Sequence, residues 1–456
     1  MKAARIVASG AISALGEGRK AVDPFALPGI RADDELASLG LRRPRVARSA
    51  TRDVVSDPAE WLLLNALRQL SANLDRVTAG WRSRRLAFVI GTSSGGMWSQ
   101  TQAFDALVRG EGDPERCRAA PYWGPLAALR REFPVAPMIH VLAVCASSAM
   151  ALGVGRELLH DGSADLVIAG GYDALTPFVA AGFEALGVTT AERPLPFSMR
   201  RDGLALGEGA ALVALSRDAG PGPWLSGFAA SADASHPTSP ADSGEALTRA
   251  VSDALRDAQV AGNTFLVSAH ATSTLANDRA EAAVIGGFGP RAEAVQAFKS
   301  RVGHTLGAGS VLELLSAIRC AELGRCPPLE AEPFEPELGG HGDAKVVVSR
   351  RVVKLASAFG GANAVLVAEL DQPVDALARE PSEVWLTQCG TPQSSPRTDA
   401  LIAHSSLDPI HVRRLDTLSA LCCSAALDVI PEEMNEPRGE RQRTGVVMGS
   451  VLGSME

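Results

Sequence analysis

An α/β fold is predicted by three observations. Continuous apolar runs recur along the chain, LAFVIG (86–91), ADLVIAGG (164–171) and FLVSAH (265–270), as in strands covered on both faces. The runs stop abruptly, at the Gly/Ser turn TSSGGM (92–97), at the glycines 170–171 and at His270. Between them lie stretches of helical periodicity, including 58–74 with Trp61, Leu62, Leu64, Leu67 and Leu70, and the amphipathic GEALTRAVSDALRDAQV (244–260). Strands alternating with helices in this way call for helices layered on mainly buried sheets.

Taken in order, residues 6–8 read as a first strand entering a Gly/Ser turn. Residues 16–56 are rich in Pro, Arg and Asp and read as loops and short helices. A helix is expected over 100–109. In VLAVCASSAMALGVG (141–155), residues 141–144 read as the end of a buried strand and 146–160 as a helix. A loop over 194–206 leads through Gly-Glu-Gly (207–209) into another apolar run. A second half begins near Trp224. There the periodicity gives the 244–260 helix, the 265–270 strand, a long helix after the turn at 301–309, and strands around a glycine turn within 345–370.

Composition narrows the class. The chain of 456 residues is 46% hydrophobic and 21% charged, as in ordinary globular proteins, and is long enough for two or three domains. A net charge of −8 gives no general reason to expect nucleic acid as a partner. Seven cysteines (117, 145, 320, 326, 389, 422 and 423) show neither C-x-x-C nor metal-ligand spacing, which suggests reduced thiols and a cytoplasmic setting. The N-terminal apolar run is broken by Ser9 and Gly10, so it reads as a strand and turn rather than a signal peptide. No run approaches the length of a membrane span.

Cys145 stands where a strand turns into a helix. A cysteine there faces unpaired N–H groups and the positive end of the helix dipole, which stabilise a thiolate nucleophile. Taken alone, the stretch fits a small buried core cysteine at least as well. Other constellations accompany it. His270 ends a strand in AHATST (269–274). His304 precedes the glycines of GHTLGAG (303–309), five residues after Lys299. Phe359, Gly360 and Gly361 form a turn with exposed backbone N–H groups. Gly-Glu-Gly lacks both G-x-G-x-x-G and the lysine of a phosphate loop. The two histidines have no carboxylate or second cysteine at ligand spacing, so no metal is expected.

Together these residues resemble the β-ketoacyl-acyl-carrier-protein synthases, the ketosynthases of the thiolase-like superfamily. VCASSA (144–149) resembles the nucleophile motif. PFSMRRDGLALGEGA (196–210) resembles PFD…RDGFVLGEGA. VSAHATSTLANDRAE (267–281) resembles the first histidine motif, with Asp278 and Glu281 in place. KSRVGHTLGAGSVLE (299–313) resembles the lysine and second-histidine motif, and SAFGGANA (357–364) the terminal GFGGTNA. The chain departs at Ser198 for Asp, Ala271 for Gly, Gly309-Ser310 for Ala-Gly, and Ala358 and Ala362 for Gly and Thr. None of these removes a catalytic group. Ala271 and Ala358 are expected to narrow the acyl pocket or strain local turns.

The resemblance implies a thiolase-like five-layered α-β-α-β-α fold of two similar halves, 1–222 with the nucleophile and 223–371 with the histidines. It implies a decarboxylative Claisen condensation. Cys145 takes an acyl group from a carrier-protein thioester, and the N–H groups of Cys145 and Phe359 form the oxyanion hole. His270 and His304 bind the enolate of a malonyl-carrier thioester after loss of carbon dioxide. Lys299 is implied as an electrostatic support paired with Glu313, Phe359 as the gate of the acyl pocket, and Gly360 and Gly361 as the turn that holds it. No cofactor is implied. The implied partners are an acidic acyl carrier protein and a second ketosynthase-like chain, as homodimer or heterodimer. Arg130 and Arg131, or Arg200 and Arg201, are candidates for a basic docking patch. Two alternatives stand beside this reading: a non-catalytic, chain-length-determining partner in a heterodimer, which the retained Cys145 opposes, and a thiolase or plain acyltransferase.

Past residue 371 the chain reads as a linker (372–383) and then the start of a second copy (384–456). TGVVMGSVLGSM (444–455) parallels LAFVIGTSSGGM (86–97), and RRLDTLSAL (413–421) resembles an early ketosynthase helix.

Overall fold

The computed structural model describes residues 3–49, 57–112, 121–260, 264–341, 343 and 345–373. The expected linker and partial second copy lie outside the described residues, apart from residues 372 and 373.

The first half of the chain supplies β1 (Ala4–Ser13), α1 (Pro58–Val77), β2 (Leu86–Gly91), α2 (Met97–Val108), α3 (Leu126–Glu132), β3 (Met138–Val141), α4 (Ser147–His160), β4 (Leu166–Asp173), α5 (Pro177–Ala185) and β5 (Gly209–Ser216). The second supplies β6 (Trp224–Ala232), α6 (Glu245–Asp257), β7 (Phe265–Ser268), α7 (Leu275–Gly286), β8 (Ala292–Gln296), α8 (Lys299–Val302), α9 (Gly309–Leu323), β9 (Arg351–Ser357) and β10 (Ala362–Glu369).

The two halves repeat one strand order. The first runs β3-β2-β4-β5-β1 and the second β8-β7-β9-β10-β6. In each, the second-formed strand pairs in parallel with its two neighbours, and the remaining pairs are antiparallel. The halves meet along a short antiparallel contact, Ala4 opposite Leu225 and Arg5 opposite Trp224.

Three apolar clusters stack these elements into five layers. Leu62, Leu63 and Leu70 of α1 cover Phe88, Ile168 and Leu212 on the outer face of the first sheet. Leu247, Val251 and Leu255 of α6 cover the outer face of the second, with Val353 and Val365. Between the sheets lie α4 and α9, whose Leu152, Leu159, Val311 and Leu314 share a core with Val167, Val213, Val352 and Leu366. Helices sandwiched this closely need small residues. A Cβ at Gly153 of α4 would lie 2.4 Å from the Phe228 ring of the second half.

The 86–91 strand is observed over the expected residues. The stretch before Cys145 is different. Its strand is Met138–Val141 and half-exposed, because among the described residues β3 is the edge of its sheet and pairs only with β2. Residues 142–143 leave the sheet, and Val144–Ala146 form a 3₁₀ turn ahead of α4. The strand expected over 265–270 ends at Ser268, so His270 sits in the following loop. No helix among the described residues is long and apolar enough to cross a membrane.

Candidate active site

The loops at the C-terminal ends of the parallel strands converge on one cavity of about 340 Å³, lined by Cys145, Phe183, His270, His304, Thr274 and Phe359 among others. This is where ligands sit in α/β sheets.

Cys145 reaches it through a sharp turn. Val144 takes a positive φ of 48°, uncommon for a β-branched residue and a source of local strain. Ser147 fixes the turn: its Oγ accepts from Ala143 N at 2.9 Å and lies 2.7 Å from Val144 O. Cys145 is 4% exposed. Burial pushes its thiol up to about 12, against the opposing pull of the Lys299 charge. The sequence placed a helix-stabilised thiolate here. In the fold the desolvation cost outweighs that stabilisation, and the resting form is the thiol.

His304 Nε2 lies 3.1 Å from Cys145 Sγ. The Gly-Glu-Gly segment, not a nucleotide loop, locks this histidine in place. His304 N donates to Ala205 O at 2.7 Å, and Gly207 N donates to His304 O at 2.9 Å. Glu208 is buried and anchors the segment by accepting from Ser49 N and Leu175 N at 3.0 and 3.2 Å. His304 Nδ1 is buried without a partner among the described residues. A bare lone pair there is more readily tolerated than an orphaned N–H, which favours the tautomer with its proton on Nε2.

His270 is held from two sides. Behind it, Glu281 of α7 accepts from His270 N at 2.5 Å and Ala271 N at 2.7 Å. Asp278 accepts from Phe197 N and Ser273 N at 2.7 and 3.1 Å. These carboxylates clamp the loop into positive φ at Ala271 (49°) and Ser273 (68°), so the alanine in place of glycine does carry backbone strain. On the other side, Lys299 Nζ lies 3.2 Å from His270 Nδ1, 2.6 Å from His270 O and 2.6 Å from Glu313 Oε1. An ammonium only donates, so Nδ1 is the acceptor and the His270 proton sits on Nε2. The two imidazoles stand edge to face, 5.5 Å apart. Burial, then the charge of Lys299, holds both far below the ordinary histidine range, and both are neutral.

Phe359 stacks on Phe183 with centroids 5.8 Å apart. Neither Cys145 nor Phe359 donates its backbone N–H to another backbone carbonyl among the described residues. Gly360 and Gly361 take φ of 79° and 82°, and a Cβ at Gly361 would fall 1.7 Å from Asp233 O. All the residues singled out in the sequence as catalytic or supporting therefore surround one cavity or brace its walls.

Arg201 is a correction. It is 5% exposed and donates to Ser198 O, Thr274 O and Leu275 O at 2.8, 3.2 and 2.9 Å, and it pairs with Glu335. A guanidinium consumed by buried acceptors is no docking group. Arg130, Arg131 and Arg200 are exposed.

Two buried residues escaped the sequence reading. Asp173 ends β4 and accepts from Thr92 Oγ1, Ser93 N, Ser94 N and Gly307 N at 2.7–2.8 Å, tying the loop after β2 to the loop after His304. Lys354 lies within β9, with Nζ 2.5 Å from Glu313 Oε2. Each left a sequence signal, a lone charge inside or ending an apolar run (LVIAGGYD, RVVKLAS).

Comparison with known proteins agrees with this geometry. The family model for the beta-ketoacyl synthase N-terminal domain matches residues 55–219, and that for the C-terminal domain matches 224–330. Nodulation protein E of Rhizobium meliloti is 32% identical over 320 residues, covering 66% of this chain and 75% of that protein. The tetracenomycin polyketide synthase ketoacyl synthase alpha subunit of Streptomyces glaucescens is 34% identical over 247 residues, covering 49% of this chain and 58% of that one. The chain covers between 54% and 62% of the length of several further relatives. A solved beta-ketoacyl synthase from Burkholderia phymatum STM815 superposes with a TM-score of 0.71 at 25% identity, covering 81% of this chain and 99% of that one. The chain belongs to the beta-ketoacyl synthase family and has its thiolase-like fold.

Proposed function

We propose that this chain catalyses decarboxylative Claisen condensation in fatty acid or polyketide chain elongation, as an acyltransferase of the 3-oxoacyl-[acyl-carrier-protein] synthase type. The observation that carries the reading is the contact of Lys299 Nζ with His270 Nδ1 at 3.2 Å, which turns His270 Nε2–H toward the cavity that also holds His304 and Cys145. Two neutral imidazoles that each present an N–H suit an enolate oxygen, which needs donors and no base. A thiolase, built on Cys–His–Cys, has no use for that pair.

The chemistry balances with these groups. Cys145 Sγ attacks an acyl thioester, its S–C bond forms as the carrier's C–S bond breaks, and the thiol proton leaves with the carrier sulfur. The N–H groups of Cys145 and Phe359 receive the oxyanion. A malonyl thioester then loses carbon dioxide, and the electron pair of the broken C–C bond forms an enolate, its oxygen held by His270 and His304. The enolate carbon attacks the acyl-Cys145 carbonyl, a C–C bond forms as the S–C bond breaks, and Cys145 departs as thiolate and takes a proton from water to return to the thiol. The residues divide as two halves, 1–222 giving Cys145 and 223–371 giving both histidines. The partner is an acyl carrier protein, and the chain works as a dimer with itself or a ketosynthase-like partner.

The test is to incubate the purified chain with a radiolabelled acyl-carrier thioester and a malonyl-carrier thioester. Label on Cys145, then carbon dioxide release with a 3-oxoacyl product, is the expected result. Acyl transfer with no decarboxylation points to a plain acyltransferase, and no label on Cys145 to a non-catalytic partner.

A further inference from the structure

The buried ion cluster behind His270 contains one more cation than the proposed mechanism uses. Lys299 and Lys354 sit on opposite sides of Glu313, one on each carboxylate oxygen, at 2.6 Å to Oε1 and 2.5 Å to Oε2. Lys354 is 0% exposed, Lys299 2% and Glu313 1%. The chain has only five lysines among 44 basic residues, and two of the five are in this cluster.

Lys299 has three acceptors, and Lys354 has two carbonyl acceptors and an ion-pair contact with Glu313. Lys354 Nζ faces Glu313 Oε2, Ala269 O at 3.2 Å and Leu355 O at 2.5 Å. Lys299 Nζ faces Glu313 Oε1, His270 O and His270 Nδ1. A neutral amine has only two N–H groups and would turn a lone pair toward one of these acceptors. The three acceptors of Lys299, and the two carbonyls and adjacent carboxylate around Lys354, therefore favour the ammonium, even though burial lowers the Lys354 pKa. Glu313 Oε2 accepts no hydrogen bond among the described residues, so the Lys354 charge at 2.5 Å is what offsets its burial, and without it Lys299 alone would answer the carboxylate.

We propose that Lys354 is a positioning residue of the decarboxylation step, a second buried lysine that pairs with Glu313 Oε2 and so leaves the Lys299 ammonium to His270 Nδ1 and His270 neutral. The inference rests on the condensing role proposed above. Lys354 touches no substrate and acts through Glu313 and Lys299. The charged groups facing it are Glu313 of α9, Lys299 of α8 and Glu281 of α7, and those facing His270 are Lys299, His304 and Lys354.

The sign of its effect on pH dependence follows. The Lys354 charge lowers the pKa of His270, so removing it lets His270 take a second proton at higher pH. A protonated His270 would set an N–H against the Lys299 ammonium and break the contact. The acid limb of the decarboxylation profile should therefore move upward.

The experiment compares the full chain with Lys354→Gln, which keeps N–H groups without the charge, and Lys354→Arg, which keeps the charge. Acyl loading of Cys145 from an acyl-pantetheine thioester and decarboxylation of malonyl-pantetheine are measured separately from pH 5 to 9. Lys354→Gln should load within about twofold of the unaltered chain. It should lose about tenfold or more in decarboxylation kcat with KM little changed, and its acid inflection should rise by about one pH unit. Lys354→Arg should recover the acid inflection. An unchanged profile in Lys354→Gln, or equal loss of both half-reactions with no change of profile, overturns the proposal. A measurement on the unaltered chain covers the case of a variant that does not fold. ¹⁵N spectra of the lysine side chains should show two protected ammonium groups at pH 7, and a neutral amine at Lys354 overturns the proposal whatever the activity. If both ammonium groups are present and the unaltered chain neither loads nor decarboxylates, the condensing role has failed and Lys354's part in it falls too.

Discussion

His304 Nε2 stands 3.1 Å from Cys145 Sγ, inside a pocket where the thiol is raised to about 12 and the imidazole is neutral. That contact brings an N–H of the second half of the chain to the sulfur of the first. Burial of the sulfur, and not this contact, makes the thiol rather than a preformed thiolate the resting state. Alkylation of Cys145 by iodoacetamide should therefore climb about tenfold per pH unit from 7 to 10. Among the described cysteines, Cys145 should still be modified ahead of Cys320 and Cys326, which do not line the cavity. A rate that levels off below pH 8, followed by mass spectrometry, would mean that a thiolate is already present.

His270→Ala should slow malonyl decarboxylation by about 100- to 1,000-fold, the usual cost of losing one donor to a developing oxyanion. Acyl loading should change far less, because His270 contacts Lys299 and not Cys145 Sγ. His304→Ala should also slow decarboxylation, and it should slow loading more than His270→Ala does, because His304 Nε2 lies 3.1 Å from Cys145 Sγ. Equal damage to loading and decarboxylation in the His270 variant would remove the assigned division of labour.

Glu313→Ala takes from two buried ammonium groups the carboxylate they share. It should lower the unfolding free energy by about 3–5 kcal/mol, the range for breaking a buried ion pair by removing one partner. Urea unfolding followed by circular dichroism gives the number. A loss below about 1 kcal/mol would show that the cluster is better hydrated than its burial indicates.

Stability should fall as pH is lowered through the histidine range. His140 on β3 has a buried Nε2 without a partner among the described residues, and burial lowers its pKa to about 4. A group depressed in the folded state contributes stability that is complete above about 6.5 and lost as pH falls toward 4, because the unfolded chain protonates first. His270 and His304 are depressed in the same direction. His140→Gln should remove part of the slope, on the order of 2 kcal/mol after discounting for partial exposure. Thermal melts from pH 7.5 to 4.5 measure it, and identical slopes in the two proteins would sink the assignment.

Ala271→Gly should stabilise the chain by about 1 kcal/mol, the cost of a Cβ at positive φ. Chemical denaturation decides the sign. Destabilisation would mean that the buried Cβ packs better than its backbone is strained.

The sequence by itself determined the alternation of strands and helices, the strand over 86–91 and the amphipathic helix observed at Glu245–Asp257, because local periodicity records which face is buried. It also singled out Cys145, the two histidines, Lys299 and the glycine turn as the residues of the proposed site, since five motifs in order point to them residue by residue. The tertiary structure alone decided how those groups meet. Cys145 and His304 are 159 residues apart, and only the stacking of two sheets around α4 and α9 brings them to 3.1 Å. Burial, which no local pattern states, raised the thiol that the helix terminus was expected to ionise. It took Arg201 out of the docking surface and into a buried network. It made Lys354 part of the ion cluster, because a lysine inside a strand has a partner only when the fold brings Glu313 to it.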